Sequence, residues 1–170
     1  SVIYAMTANN PWGKHGRTYA WVHSAETARY EDAQEVMLAV QPAARGARLY
    51  CEESTAAGRS GYFWERWQQG QTFQQWRDSE PHLRRHVNLF LPWFVVEDYT
   101  IPGFNRPPLP DEITQDEAEL VHINNLTLGQ LLWRRQTLAE ICHGSTDDFD
   151  EQYPCTPDRA FIASGGSVFS

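Results

Sequence analysis

With 170 residues, 41% of them hydrophobic and 13% aromatic, the chain is long enough to bury one sizeable core. No run approaches the ~20 consecutive apolar residues of a membrane span, and the start at Ser1 lacks the basic residues of a signal peptide, so a soluble protein is predicted. Fourteen Lys and Arg against 22 Asp and Glu leave a net charge of −8, which disfavours simple binding of a polyanion unless the basic residues gather on one face.

In chain order, residues 1–8 form a nearly continuous apolar run closed by Asn9, Asn10, Pro11, Gly13 and Gly16, which predicts a buried strand and a loop. Residues 19–25 are a second such run. Between Tyr30 and Arg45, Ala33, Val36, Met37, Val40 and Ala44 recur at helical spacing, with Glu31, Asp32 and Glu35 near the start and Gly46 beyond the end. Residues 47–51 give a third strand. Strand, strand, helix, strand is the order of an α/β fold with a parallel sheet covered by helices.

The aromatic stretch 62–69 places Phe63 and Trp67 four apart on a helix that Gly70 closes. Residues 86–94 predict a fourth strand, confined by Pro92 to an edge or an end, and 101–110 a proline-rich irregular connection. Two capping boxes follow, Thr114 with Glu117 and Thr127 with Gln130, each opening a helix. The second keeps Leu128, Leu131, Leu138 and Ile141 on one stripe and has Gly144 past its end. From Ser145 onward acids, Pro154, Pro157, Gly165 and Gly166 predict a tail or linker. The expected division is 1–112 for the sheet-bearing part and 113–170 for a helical subdomain and linker.

Two strand ends carry groups suited to chemistry. Tyr19-Ala-Trp-Val-His-Ser-Ala-Glu26 delivers a carboxylate at its carboxyl end, where ligands of open α/β sheets bind, so Glu26 is placed to polarise a water. Arg48-Leu-Tyr-Cys-Glu-Glu-Ser-Thr-Ala-Ala-Gly58 ends in hydroxyls and a small turn that could sense a phosphate or a water beside Glu26. Cys51, Cys142 and Cys155 are odd in number and unpatterned, which argues for reduced thiols filling the core rather than disulfides or zinc. Gly58-Arg-Ser-Gly61 lacks the spacing of a nucleophile elbow.

Acid-ending strand, helix and Ser-Thr-ending strand occur here in the order of the large terminase subunits that pump DNA into the heads of tailed phages. His23-Ser-Ala-Glu-Thr-Ala28 resembles their Walker B strand, and Glu52-Glu-Ser-Thr-Ala-Ala-Gly58 with Gly61-Tyr-Phe63 and Trp67 resembles their coupling motif and its helix. Leu91-Pro-Trp-Phe94, Gln130-Leu-Leu-Trp-Arg-Arg135 and Glu151-Gln-Tyr-Pro154 with Ala160, Phe161 and Gly165 are similar to later landmarks of that family.

The resemblance implies a partial P-loop NTPase sheet of the catalytic-glutamate type, from the Walker B strand to the linker before an absent nuclease domain. It implies ATP and Mg²⁺ as cofactors, with Glu26 activating the attacking water and Ser54, Thr55 and Ala56 coupling hydrolysis to movement. Implied partners are double-stranded DNA, a portal protein, a small terminase subunit and identical neighbours in a ring, in the host cytoplasm at the procapsid portal. Arg17, Arg134 and Arg135 are candidates for phosphate or subunit contacts.

Ala25 stands where many relatives have an Asp that helps hold Mg²⁺, so no metal ligand is assigned to this chain. No Gly-x-x-x-x-Gly-Lys-Ser/Thr stretch occurs in it, and the piece alone is not expected to hydrolyse ATP or to cleave DNA. The competing expectation is a non-catalytic prophage remnant or scaffold that keeps an ATPase-like sheet.

Overall fold

Strands β1 (Trp21–Ser24) and β2 (Leu49–Glu52) run parallel, Trp21 opposite Leu49 and Ser24 opposite Glu52, in the computed structural model, which describes residues 19–163. Parallel neighbours need a crossover long enough to return the chain to the same end, and helix α1 (Ala33–Ala44) supplies it. Its apolar positions bury Val36, Met37 and Val40 against Val22 and Tyr50. Side chains alternate along a strand, so Ser24 and Glu52 share that covered face, while Trp21 and Leu49 on the other face are 66% and 54% exposed. The architecture is mixed α/β, mostly helical, with a small two-stranded parallel sheet among the described residues.

Beyond β2 come helix α2 (Gly61–Gln69), closed at Gly70 as its sequence predicts, and helix α3 (Phe73–Asp78), opened by a reciprocal Thr72 and Gln75 cap that the sequence reading had not singled out. The end of α2 is anchored by Asn88, whose amide donates to the Trp67 carbonyl at 2.7 Å. The expected fourth strand over 86–94 does not form. Among the described residues its one pairing is an isolated bridge between Gln71 and Val87, and residues 93–95 turn into a 3₁₀ helix. Pro92 has no amide to donate, Leu89 and Leu91 are 77% and 76% exposed, and Trp93 leaves the strand direction to become a core residue. The strand expected over 1–8 lies outside the described residues.

A second compact unit comprises Phe90–Ala163. Expected to begin at 113, it begins at Phe90, because Trp93, Phe94 and Tyr99 pack into one cluster with Leu126, Trp133, Cys142 and Phe149. Its helices are α4 (Gln115–Asn124), α5 (Leu128–Glu140), α6 (Thr146–Gln152) and α7 (Pro157–Ala163). Both expected caps are present: the Thr114 amide donates to Glu117 at 2.9 Å, and Thr127 and Gln130 satisfy each other's amides at 3.0 and 3.2 Å.

Residues 146–163 correct the expected tail. The Ser145 hydroxyl accepts the Asp148 amide at 3.1 Å, Asp147 and Asp148 lie in the first turn of α6, and Phe149 is fully buried. Ile141, expected on the buried stripe of α5, is 60% exposed, and Cys142 takes the inner position. There the chain leaves the helix through His143 and Gly144, both at positive φ, as the Gly144 amide reaches back to the Leu138 carbonyl at 2.7 Å.

The proline-rich connection 101–110 is irregular, as expected, and is laced to the start of α5: the amides of Leu128 and Gly129 donate to the carbonyls of Arg106 and Phe104 at 2.7 and 2.9 Å. A Cβ on Gly129 would meet the Ile101 carbonyl at 2.7 Å and Thr100 Oγ1 at 2.5 Å. Because backbone cannot step aside as a side-chain tip can, Gly129→Ala is expected to cost about 1–3 kcal/mol, read as a lowered urea midpoint. Among the described residues no helix is long and apolar enough to cross a membrane.

Candidate strand-end site

The carboxyl ends of β1 and β2 are stitched together residue by residue. The Glu53 amide donates to the Ser24 carbonyl at 2.9 Å, and the Thr27 amide to the Glu53 carbonyl at 3.1 Å. The Ala28 amide donates to Ser54 Oγ at 3.1 Å. This ladder brings Glu26 and Ser54, 28 residues apart in sequence, to a separation of 3.5 Å between Ser54 Oγ and Glu26 Oε2. The hydroxyl has one proton and a nearer acceptor, the Thr55 carbonyl at 2.8 Å, and Glu26 is exposed to solvent.

Glu26 sits at φ 54°, ψ 39°, the left-handed region, at the start of the 3₁₀ turn Thr27–Arg29. For a side chain larger than Asn this conformation costs on the order of 1 kcal/mol, and such strain concentrates at functional positions. Thr27, fully buried, anchors the turn directly behind it. Of the other expected residues, Thr55 is half-buried, whereas Ala56 is 6% exposed and contributes packing rather than a reactive group.

Three carboxylates converge on the strand ends, and two are already engaged. Glu52 accepts from Tyr62 Oη and from an Arg66 terminal nitrogen, both at 3.3 Å, with its side chain 10% exposed. Glu53 meets His23 at 3.5 Å. Burial, reinforced by the Glu52 charge, pushes the Tyr62 hydroxyl up to about 12 and raises Tyr50 further. Tyr30 is raised by burial and then by the charges of Glu26 and Glu52. Among the described residues, no cation pairs with Glu26. The Glu52, Tyr62 and Arg66 cluster was missed in the sequence reading, although Tyr62 and Arg66 stand four apart on one helical face, the spacing that would bring both to one acceptor.

A cleft of about 310 Å³ opens beside this turn, lined in part by Tyr30, Glu31, Asp32, Tyr62, Trp64 and Glu65. No lysine or arginine among the described residues lines it. ATP and Mg²⁺, implied by the sequence resemblance, are therefore met unevenly. An exposed carboxylate with a hydroxyl beside it fits the handling of a water, while the described lining of the cleft, with Glu31, Asp32 and Glu65 in it, offers a triphosphate no cation. Among the described residues no three His, Cys, Asp or Glu side chains group as metal ligands.

Of the arginines that are candidates for phosphate or subunit contacts, Arg134 and Arg135 make their contacts within their own unit. Arg17 lies outside the described residues. Arg135 grips Glu117 through two nitrogens at 2.8 and 2.6 Å and donates to the Glu112 carbonyl at 2.8 Å, a fork-on-fork ion pair internal to the helical unit. Arg134 lies with its guanidinium 5.1 Å from the Phe149 ring centre, and its Nε is buried without a hydrogen-bond partner. Both arginines therefore serve the core of their own unit in this conformation.

The Arg135 hydrogen bonds hold the Glu117 carboxyl down at about 2. Because the folded value lies below the ordinary value of 4.5, the stabilisation is complete above that value and disappears as pH falls from there towards 2. The urea midpoint is expected to drop on acidification from about pH 5 to pH 3. Arg135→Met should lower stability by about 1–2 kcal/mol at neutral pH, after discounting for the partly exposed arginine, and flatten that acid slope.

No family model, curated protein or solved structure matches the chain.

Proposed function

We propose that this chain is part of the ATPase motor of a tailed-phage terminase large subunit, converting ATP hydrolysis into translocation of double-stranded DNA into a procapsid. In this reading β1 and β2 belong to a P-loop NTPase sheet and Phe90–Ala163 to the helical part that follows it. Partners are the DNA, a portal protein, a small terminase subunit and identical neighbours in a ring. One observation carries the reading: a carboxylate and a hydroxyl, Glu26 and Ser54, meet at 3.5 Å at the carboxyl ends of two parallel strands joined by a crossover helix. Ligands of open α/β sheets bind at that end.

Glu26 acts as general base or water-orienting group, and its exposed carboxylate accepts the proton of the attacking water. Ser54, held by the Ala28 amide, moves its hydroxyl proton between the Thr55 carbonyl and Glu26, and so couples the state of the carboxylate to the turn 54–56. ATP with Mg²⁺ supplies the phosphoryl group when bound; residues that grip the phosphates are not among those described.

The lining of the neighbouring cleft, which has three carboxylates and no lysine or arginine among the described residues, favours a second reading, a remnant or scaffold that keeps the sheet as a binding surface. Flanking coding sequence separates the two: an in-frame phosphate loop upstream and acidic nuclease motifs downstream are expected for the motor, and stop codons for the remnant. The biochemical test takes a chain carrying that loop and measures ATP hydrolysis with and without duplex DNA. Stimulation by duplex DNA is the expected result, and hydrolysis indifferent to DNA rejects the translocation reading.

A further inference from the structure

We infer that Arg66 is a positioning residue for the Glu26 and Ser54 pair: by holding the Glu52 carboxylate it fixes the end of β2, beside Glu26, which pairs with no cation among the described residues. The functional meaning of this inference rests on the reading above, but its geometry does not.

Glu52 is the last residue of β2, and its carboxylate projects onto the α1 side of the sheet with little contact with water. A buried carboxylate without a cation is strongly disfavoured, and the cation that reaches this one among the described residues is Arg66, one helical turn beyond Tyr62 on α2. From Glu52 the backbone passes directly into the ladder at Ser24, Thr27 and Ala28 that sets the Ser54 hydroxyl against Glu26. α2 is fixed in turn at its far end, where the Arg66 and Trp67 carbonyls meet His86 Nε2 at 2.8 Å and Asn88 Nδ2 at 2.7 Å. Arg66, with Tyr62 beside it, thus joins an anchored helix to the strand end immediately ahead of the candidate site.

The Arg66 contact is long for an ion pair, and Arg66 Nε is buried without a hydrogen-bond partner. Charge-assisted pairs are normally shorter and use the guanidinium fork. The link therefore holds with one prong only, and a small shift of the β2 end changes its geometry first.

The test is amide hydrogen exchange on the chain as it stands. Arg66→Met is expected to speed exchange at Thr27, Ala28 and Glu53 by about tenfold while leaving Met37 and Val40 in the middle of α1 unchanged, and Arg66→Lys to recover most of the protection. Equal acceleration throughout α1, or none at the three strand-end amides, overturns the inference. Should Arg66→Met fail to fold, Glu52→Gln, which keeps the size and the Tyr62 hydrogen bond but removes the charge, is judged by the same two outcomes. Indifference of ATP hydrolysis to Glu26→Gln in a loop-bearing chain would discard the catalytic reading and leave the exchange result standing. Normal exchange in the Arg66 variants discards the positioning role and leaves Glu26 untouched.

Discussion

Replacing Phe149 by alanine is expected to cost the Phe90–Ala163 unit about 3–5 kcal/mol, most of the roughly 5 kcal/mol or little more that a unit of this length commands. The ring has no solvent exposure. It stands edge-on to Trp93 and Trp133, with centroids at 6.0 and 6.2 Å, and tilted against Tyr153 at 5.2 Å. These neighbours are rigid rings held by one another: Trp133 stacks on Trp93 and on Tyr99, and Tyr153 stands edge-on to Trp133 and Tyr99, so the vacated space cannot collapse. The substitution also strips the half-buried Arg134 guanidinium of the aromatic face beneath it. Urea titration followed by near-ultraviolet circular dichroism should show the aromatic signal lost at a much lower midpoint. Ile141→Ala, at a 60% exposed position, should move the midpoint by less than about 0.5 kcal/mol.

Glu26→Gln is expected to lower ATP turnover about 10²- to 10⁴-fold in a chain that carries a phosphate loop, with ATP binding unchanged. Glutamine keeps the size of the side chain and its contact with Ser54 but cannot take a proton at pH 7. Since Glu26 is exposed and no cation pairs with it among the described residues, the fold should not notice: the urea midpoint is expected to stay within about 0.5 kcal/mol of wild type. The combination of lost turnover, retained binding and retained stability separates a chemical role from a structural one. Equal turnover in the two proteins removes Glu26 from catalysis.

Local signals in the sequence proved readable where one element decides its own structure. Helical spacing from Ala33 to Ala44, the Gly70 stop and the Thr127 and Gln130 cap all depend on neighbours within a turn or two, and the chain forms them as written. The parallel pairing of the two strand ends was also legible, because an apolar run, a helix and a second apolar run leave few other arrangements.

Other readings that depended on distant partners failed. Residues 86–94 carry strand-forming residues but find no ladder beyond the single bridge at Val87, and Trp93 is drawn into a core assembled from residues up to 62 positions away, where its Nε1 donates to Cys155 Sγ at 3.2 Å. The acids and prolines after Ser145 read as a linker because their organising residue, Phe149, is one aromatic among seven helical positions. The pairing of Arg135 with Glu117, across 18 residues, and of Arg66 with Glu52, across 14, cannot be seen until the helices are placed. The left-handed conformation of Glu26 has no sequence signature of the kind glycine or asparagine gives.

The central claim is that Glu26 and Ser54 work as one unit at the strand ends. A double-mutant cycle on ATP turnover, with Ser54→Ala made in the wild-type and in the Glu26→Gln background of a loop-bearing chain, tests it most directly. The account predicts that Ser54→Ala slows the wild type and leaves the Glu26→Gln protein no slower than before. Two effects that simply multiply would mean that the residues act independently, and would contradict it.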